Sequence, residues 1–202
     1  MADPTTLFSA AEAKAFDKKQ LGTGYDDSVI NAAEAEIREE FAHICGVSFI
    51  PKTETGYRVD GSGNRMLALP FRRLLSLTAV TIYDAAQTLV QTFDATDLSD
   101  VALYTDGRMV RRSRGTWLRG ELNIALTFTH GYTTTPAEIK RAALILAVYK
   151  LVPTDITDRA TYMSDGSMTF SLATPGMRGS YYGLPMVDAV LNRYSEQPAA
   201  VS

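Results

Sequence analysis

Apolar and polar positions alternate most clearly over residues 122–129. Leu122, Ile124, Leu126 and Phe128 fall on one face there, and Asn123, Ala125, Thr127 and Thr129 on the other. That period of two, in a run rich in β-forming residues, predicts a half-buried strand. After His130-Gly131-Tyr132 the period changes to that of a helix. Thr135-Pro136-Ala137-Glu138 has the form of a helix start, with Thr135 as N-cap, Pro136 at N1 and Glu138 at N3 reaching back. Over 136–152, Ile139, Ala142, Ala143, Leu146, Tyr149 and Lys150 fall near one side. Leu144, Ile145, Ala147, Val148 and Leu151 make most of the remainder apolar, so this helix is expected to be buried on most faces.

A second long helix is predicted from Asp26 to Cys45. Val29, Ile30, Ala33, Ile37, Phe41 and Ile44 form its apolar stripe, Glu34, Arg38, Glu39 and Glu40 its wet face, and Gly46 its C-terminal stop. A shorter helix is expected over 8–20, capped by Thr6 or Ser9, and a last one over 186–194. Between the long helices, strands are predicted at 57–60, 66–69, 77–84, 88–93, 102–104, 108–111 and 122–129. Turn chemistry at 60–64, 84–86 and 105–107 separates them. Beyond Pro153 the chain is rich in Thr, Ser, Asp, Gly and Pro and reads as an extended arm. Within the arm, 167–172 alternates like a strand with little of its own to pair with.

These elements predict an α+β chain: a helical bundle of two long helices plus short N- and C-terminal helices, a β-rich insertion at about 47–132, and an extended C-terminal arm. The expected division is 1–152 for the helical core with its insertion and 153–202 for the arm, terminal helix and tail.

Composition changes this picture little. The chain has 202 residues, 46% hydrophobic and 21% charged, which suits a globular protein with a buried core. Its net charge of −3 gives no general reason to expect tight nucleic-acid binding. The distribution is uneven, however: residues 1–60 hold 6 Lys+Arg against 11 Asp+Glu, whereas 61–120 hold 8 against 5 and all eight are arginine. That basic middle segment is either a solvated edge or a contact surface for an acidic partner or a phosphate backbone. The single cysteine, Cys45, cannot form an internal disulfide. No apolar run reaches membrane-spanning length, and the N-terminus lacks the basic start and apolar core of a signal peptide, so no membrane partner is expected.

Chemistry has little to build on. His43 and His130 are the only histidines, and neither stands in metal-ligand spacing; His43 is expected on a helix surface and His130 in a turn. The 60–64 segment, Asp-Gly-Ser-Gly-Asn, is not a calcium loop, because Arg65 stands where the obligatory glycine would be and Phe71 where the glutamate would be. A hairpin turn is the better reading. With no nucleophile elbow and no phosphate-loop motif, neither catalytic nor metal-binding residues are assigned, and no cofactor is expected.

As a whole the pattern resembles the head–tail adaptor (head-to-tail connector) proteins of tailed double-stranded-DNA bacteriophages and related particles. The resemblance is carried by EEFAHICGVSF, DGSGN followed by MLALPFRRL, LTFTHGY, TPAEIKRAALILAVYKLV, TFSLATPG and YYGLPMVDAVLNRYS, over about residues 26–195. It implies a non-enzymatic ring, usually of twelve copies, beneath the portal at the virion neck. Such a ring extends the DNA channel and presents a surface to a stopper or tail-side protein, after assembly in the host cytoplasm. By position, Val187, Val190, Leu191 and Tyr194 become portal-contact candidates, unless they fold back on the 29–44 helix. Met168, Phe170 and Leu172 become candidates for strand pairing between subunits, and Arg108, Arg111, Arg112 and Arg114 for meeting an acidic neighbour. Glu34, Glu36, Glu39 and Glu40 become channel-lining candidates, since an acidic wall lets DNA pass without sticking and without specific recognition. Two alternatives stay open: a neck stopper or tail-completion protein, and a peptide- or nucleic-acid-binding module using the arginine-rich sheet edge.

Overall fold

All seven strands predicted in the middle of the chain are present, but they build sheets with a core of their own. The computed structural model describes residues 5–19, 21–22, 24–104, 109–152, 162–165, 168–171 and 181–195. In chain order the elements are α1 (Ala10–Phe16), α2 (Asp27–Cys45), β1 (Lys52–Gly61), β2 (Met66–Ala68), β3 (Leu74–Tyr83) and β4 (Leu89–Thr92). Then come α3 (Ala95–Ser99), β5 (Val101–Leu103), β6 (Met109–Arg112), β7 (Gly120–His130), α4 (Ala137–Leu151), β8 (Tyr162–Asp165), β9 (Met168–Ser171) and α5 (Pro185–Tyr194). The chain divides into two units, one of Ile50–Thr134 and one of Pro4–Phe49 with Thr135–Ser202.

This overturns the expected helical bundle of two long helices with an insertion. Among the described residues there are five helices and two antiparallel sheets of four and three strands, besides the β8–β9 pair. The physical reason is that the middle segment closes its own apolar core and does not need a bundle to lie on.

In the sheet unit, β7 is central. It pairs antiparallel with β1 on one side and β3 on the other, and β4 extends β3 to give the order β1-β7-β3-β4. The second sheet runs β2-β6-β5, with Leu67 and Leu103 both opposite buried Val110. Ile124, Leu126 and Phe128 of β7, Val80 and Ile82 of β3, and Leu67 and Val110 of the smaller sheet belong to one buried cluster. Trp117, fully buried, stacks on Phe93 with ring centroids 5.9 Å apart, and its indole N–H donates to the Arg65 carbonyl at 3.0 Å. It is therefore a core residue.

Two local expectations fail here for identifiable reasons. Leu122 leaves the alternation: it has φ +45° and is 54% exposed, so Ile124 begins the apolar face. Its N–H donates to Asp60 Oδ1 at 2.7 Å, while the next residue, Asn123, turns inward. Asn123 accepts from the Gly61 N–H at 2.8 Å and donates through Nδ2 to the Leu118 carbonyl at 3.0 Å. Backbone polar groups at the start of the strand thus find partners in one buried amide, which outweighs the local cost of a left-handed leucine. Glycine is required at position 61, where a Cβ would meet the Leu118 oxygen at 1.7 Å. The second failure is the 60–64 turn. It does not close a hairpin, because β1 pairs with β7 and β2 with β6, so the segment is a corner between sheets. Ser62 holds that corner, its hydroxyl donating to the Met66 carbonyl at 2.6 Å.

In the helical unit, α2 packs on α4, and α1 and α5 pack on both. Ser9 caps α1 in a capping box with Glu12. Gly46, with φ +63°, ends α2 in the left-handed conformation that favours glycine. The buried stripe of α2 is Ile30, Ala33, Glu34, Ile37, Phe41 and Cys45, whereas Val29 is exposed. α4 buries Ile139, Ala142, Ala143, Leu144, Leu146 and Ala147. Its start differs from expectation: the N-cap is Pro136, with no side-chain cap, and the Thr135 hydroxyl donates instead to the Phe49 carbonyl at 2.9 Å.

Asn123→Ala should leave the Gly61 N–H and Leu118 C=O without that partner and lower the unfolding free energy by about 2 kcal/mol. Urea denaturation followed by tryptophan fluorescence reads this directly, because Trp117 sits in the same core. A variant as stable as wild type would show that the amide is dispensable.

Candidate interaction surfaces

Among the described residues no group of three or more His, Cys, Asp and Glu side chains could hold a metal ion. Cys45 is buried with Sγ 3.7 Å from the Leu191 carbonyl. His43 is exposed on the last turn of α2. His130 is not a turn residue: it ends β7, is 5% exposed, and lies against Phe71 with ring centroids 4.5 Å apart. Burial pushes its pKa down, against the pull of the Glu54 carboxylate 3.5 Å away. The period-two pattern could have placed it, since it continues the face of Ile124, Leu126 and Phe128.

The four glutamates assigned to one acidic face separate in the structure. Glu34 is 2% exposed, accepts the Leu7 N–H at 2.7 Å and is 3.2 Å from Arg38. It cannot line a channel from there, because helical spacing turns it toward the chain entering α1. Burial raises its pKa, more than the Leu7 hydrogen bond and the Arg38 charge lower it. Glu40 is half-buried and ties three segments together: Lys150 of α4 donates to one oxygen at 2.7 Å and the Tyr182 hydroxyl to the other at 2.6 Å. Burial pushes the Glu40 carboxyl up, but these two hydrogen bonds outweigh it and hold the pKa below the ordinary value. Lys150 also reaches Glu36 at 3.0 Å. Only Glu36 and Glu39 of the four are exposed.

The terminal helix α5 uses its apolar face within its own unit. Val187 and Leu191 are fully buried and Val190 is partly so. Tyr194 packs edge-on against Phe49 at 5.5 Å, and its hydroxyl donates to Glu138 at 2.6 Å. Asp188, also buried, accepts the N–H groups of Tyr181 and Tyr182 at 3.1 and 3.0 Å and so fixes the entry to the helix. Those four portal-contact candidates therefore fold back on their own core, and the surface left on α5 centres on Met186, 60% exposed.

The subunit-contact candidates also separate. Met168 and Phe170 lie on β9, which pairs with β8 of the same chain, opposite Asp165 and Met163 respectively. Leu172 and Arg108 lie outside the described residues. Arg112 is held internally: its guanidinium lies 4.8 Å from the Phe93 ring and 5.6 Å from that of Trp117, and donates to the Thr116 carbonyl at 2.9 Å. A cation stacked on the core in this way braces the unit and does not reach for a partner. Arg111 and Arg114 are exposed, and Arg114 makes only a long 3.9 Å pair with Asp100 among the described residues.

The sequence missed one further feature. A surface groove of about 470 Å³ is lined by Glu39, Glu40, His43 and Ile44 of α2 and by Tyr181 and Tyr182. It joins residues far apart in the chain, so no local spacing could have announced it.

No protein-family model matches this chain. No curated protein matches it either. Its fold is similar to that of a chain from the neck of an empty GTA particle computed with C6 symmetry: TM-score 0.55, 18% identity, covering 100% of this chain and 96% of that one. It is similar also to a chain from the virion of a native gene transfer agent (GTA) particle, with TM-score 0.50, 20% identity, and coverage of 100% and 96%. At these identities the likeness is one of fold.

The buried carboxylate of α2 gives a pH test. A folded pKa raised above the ordinary carboxyl value means that the stability linked to Glu34 is full below that value and is lost as pH rises through the folded pKa. Glu34→Gln keeps an acceptor for the Leu7 N–H and removes the titration. Its stability relative to wild type should therefore improve between pH 4.5 and 7.5, while Glu34→Ala costs about 1–3 kcal/mol at both. Thermal melts of the three proteins at the two pH values check this; a glutamine variant that loses ground as pH rises contradicts it.

Proposed function

We propose that this chain is a structural, non-enzymatic component of a virion neck. In this reading it forms a ring beneath the portal that joins capsid to tail and extends the DNA channel. The observation that carries the proposal is the full-length fold likeness to a chain from a GTA particle neck computed with C6 symmetry. The independent resemblance of its sequence segments to head–tail adaptors supports it. A ring of six copies, or of a multiple such as twelve, accords with that symmetry. Its partners are then the portal, neighbouring copies and a stopper or tail-side protein, with DNA passing through unrecognised.

The residue assignments change under this reading. Glu36, exposed on α2, remains the channel-lining candidate, Glu34 is withdrawn because it is buried, and Glu39 belongs instead to the groove beside Tyr181 and Tyr182. Met186 replaces the buried face of α5 as the surface available to a portal. β9, carrying Met168 and Phe170, stays a candidate for contact between copies through its backbone edge. The nucleic-acid-binding alternative loses support, since the guanidinium groups of Arg58, Arg73 and Arg112 lie over the rings of Tyr83, Tyr132 and Phe93. Of the middle segment's arginines, Arg73 and Arg112 are thereby held within their own unit.

The test is assembly in vitro. DNA-filled heads made without this protein should fail to accept tails, and adding the purified chain should restore tail attachment. Heads that join tails equally well without it would overturn the proposal.

A further inference from the structure

The groove on the helical unit has the chemistry of a guanidinium acceptor. Tyr181 and Tyr182 give it aromatic walls and Ile44 an apolar one, while Glu39 supplies an exposed carboxylate and Glu40 one already held by Lys150 and Tyr182. It lies on the C-terminal half of α2, where the unpaired carbonyls of a helix end add negative potential. The surrounding charges do not cancel: Glu34 and Glu39 share the single cation Arg38, and Glu36 and Glu40 share Lys150. Planar, stacked and bidentate recognition of this kind selects arginine over lysine.

The sheet unit carries the complementary surface. Arg111 at the end of β6 is exposed, and Arg114 in the following loop has a side chain 86% accessible. Arg65 and Arg119 are exposed as well, so this part of the unit has a surplus of positive charge. One chain thus presents both an acidic, aromatic-walled groove and an arginine-bearing loop. Two unlike patches that complement each other across copies make a head-to-tail contact, which closes into a ring when the rotation permits.

We propose that the groove formed by Glu39, Glu40, His43, Ile44, Tyr181 and Tyr182 receives Arg114, flanked by Arg111, from a second copy of this chain. The proposal rests on the neck-ring reading for its assembled state, and it names the contact by which adjacent copies recognise each other.

Disulfide trapping on heads that carry the portal tests it. Chains with Glu39→Cys, mixed with chains carrying Arg114→Cys and mildly oxidised, should give a covalent dimer. Ala86→Cys, exposed elsewhere on the sheet unit, should give none in place of Arg114→Cys. A charge swap supplies the second arm. Glu39→Arg and Arg114→Glu should each weaken association between copies by about tenfold or more. An equimolar mixture of the two should recover, because alternating copies then match at every contact. Recovery only when both changes are in one chain, or no mixed disulfide at all, would overturn the contact. Chains that restore tail attachment without the disulfide would leave the neck reading standing and remove this contact. Chains that form the disulfide but never join heads to tails would do the reverse.

Discussion

The structure depends on how a long stretch of chain, residues 50–134, begins and ends in the same place. The β1–β7 register sets Lys52 opposite His130 and Thr53 opposite Thr129, so the sheet unit brings its two ends side by side. On the helical side, the Thr135 hydroxyl donates to the Phe49 carbonyl, which ties the end of one helical segment to the start of the other. Bringing together the ends of a free loop of this length costs on the order of 4 kcal/mol. Forming the β1–β7 ladder meets that cost within the sheet unit. The two halves of the helical unit can then behave as neighbours in sequence, and α2 packs on α4.

Buried polar groups then fix what the apolar cores leave undetermined. Asn123 pins the start of β7, Asp188 the approach to α5, and Glu34 the segment before α1, each by accepting backbone N–H groups. Glu40 has a different part, since Lys150 and Tyr182 converge on it from α4 and from the loop before α5. Its depressed pKa means that this contribution is present above the ordinary carboxylate value and fades as pH falls through the folded one. Glu34 acts in the opposite sense. The helical unit therefore carries two opposed carboxylate titrations on one helix.

Much of the element inventory was legible because it rests on local periodicity. The strands of the middle segment, α2 with its glycine stop, and the largely buried α4 follow from spacing alone. What spacing could not give was the partner of each side chain. Glu34 lies one residue after Ala33 on the helix and looks solvated in sequence, but the incoming chain at Leu7 covers it. Leu122 fits the alternation and yet is turned out, because Asn123 can satisfy three backbone groups if the strand kinks there. The segment at 60–64 looks like a hairpin because turn residues announce a reversal without saying which strands pair. The helical-bundle expectation failed on the same ground: whether a β-rich insertion decorates a bundle or closes its own core depends on contacts between strands far apart in sequence. The groove was invisible for that reason as well.

A chain with one basic sheet unit and one acidic helical unit can contact copies of itself without being self-complementary on either unit alone. Such unlike patches allow a head-to-tail contact that closes into a ring when the rotation permits, and that contact links this fold to its proposed place in a particle neck. Cryo-electron microscopy of heads reconstituted with the purified chain tests that place most directly. The account predicts a ring of density for this fold, in a multiple of six copies, directly beneath the portal and coaxial with the DNA. Reconstituted heads with no added density at that vertex, or with this fold located on the capsid wall or the tail tube, would contradict it.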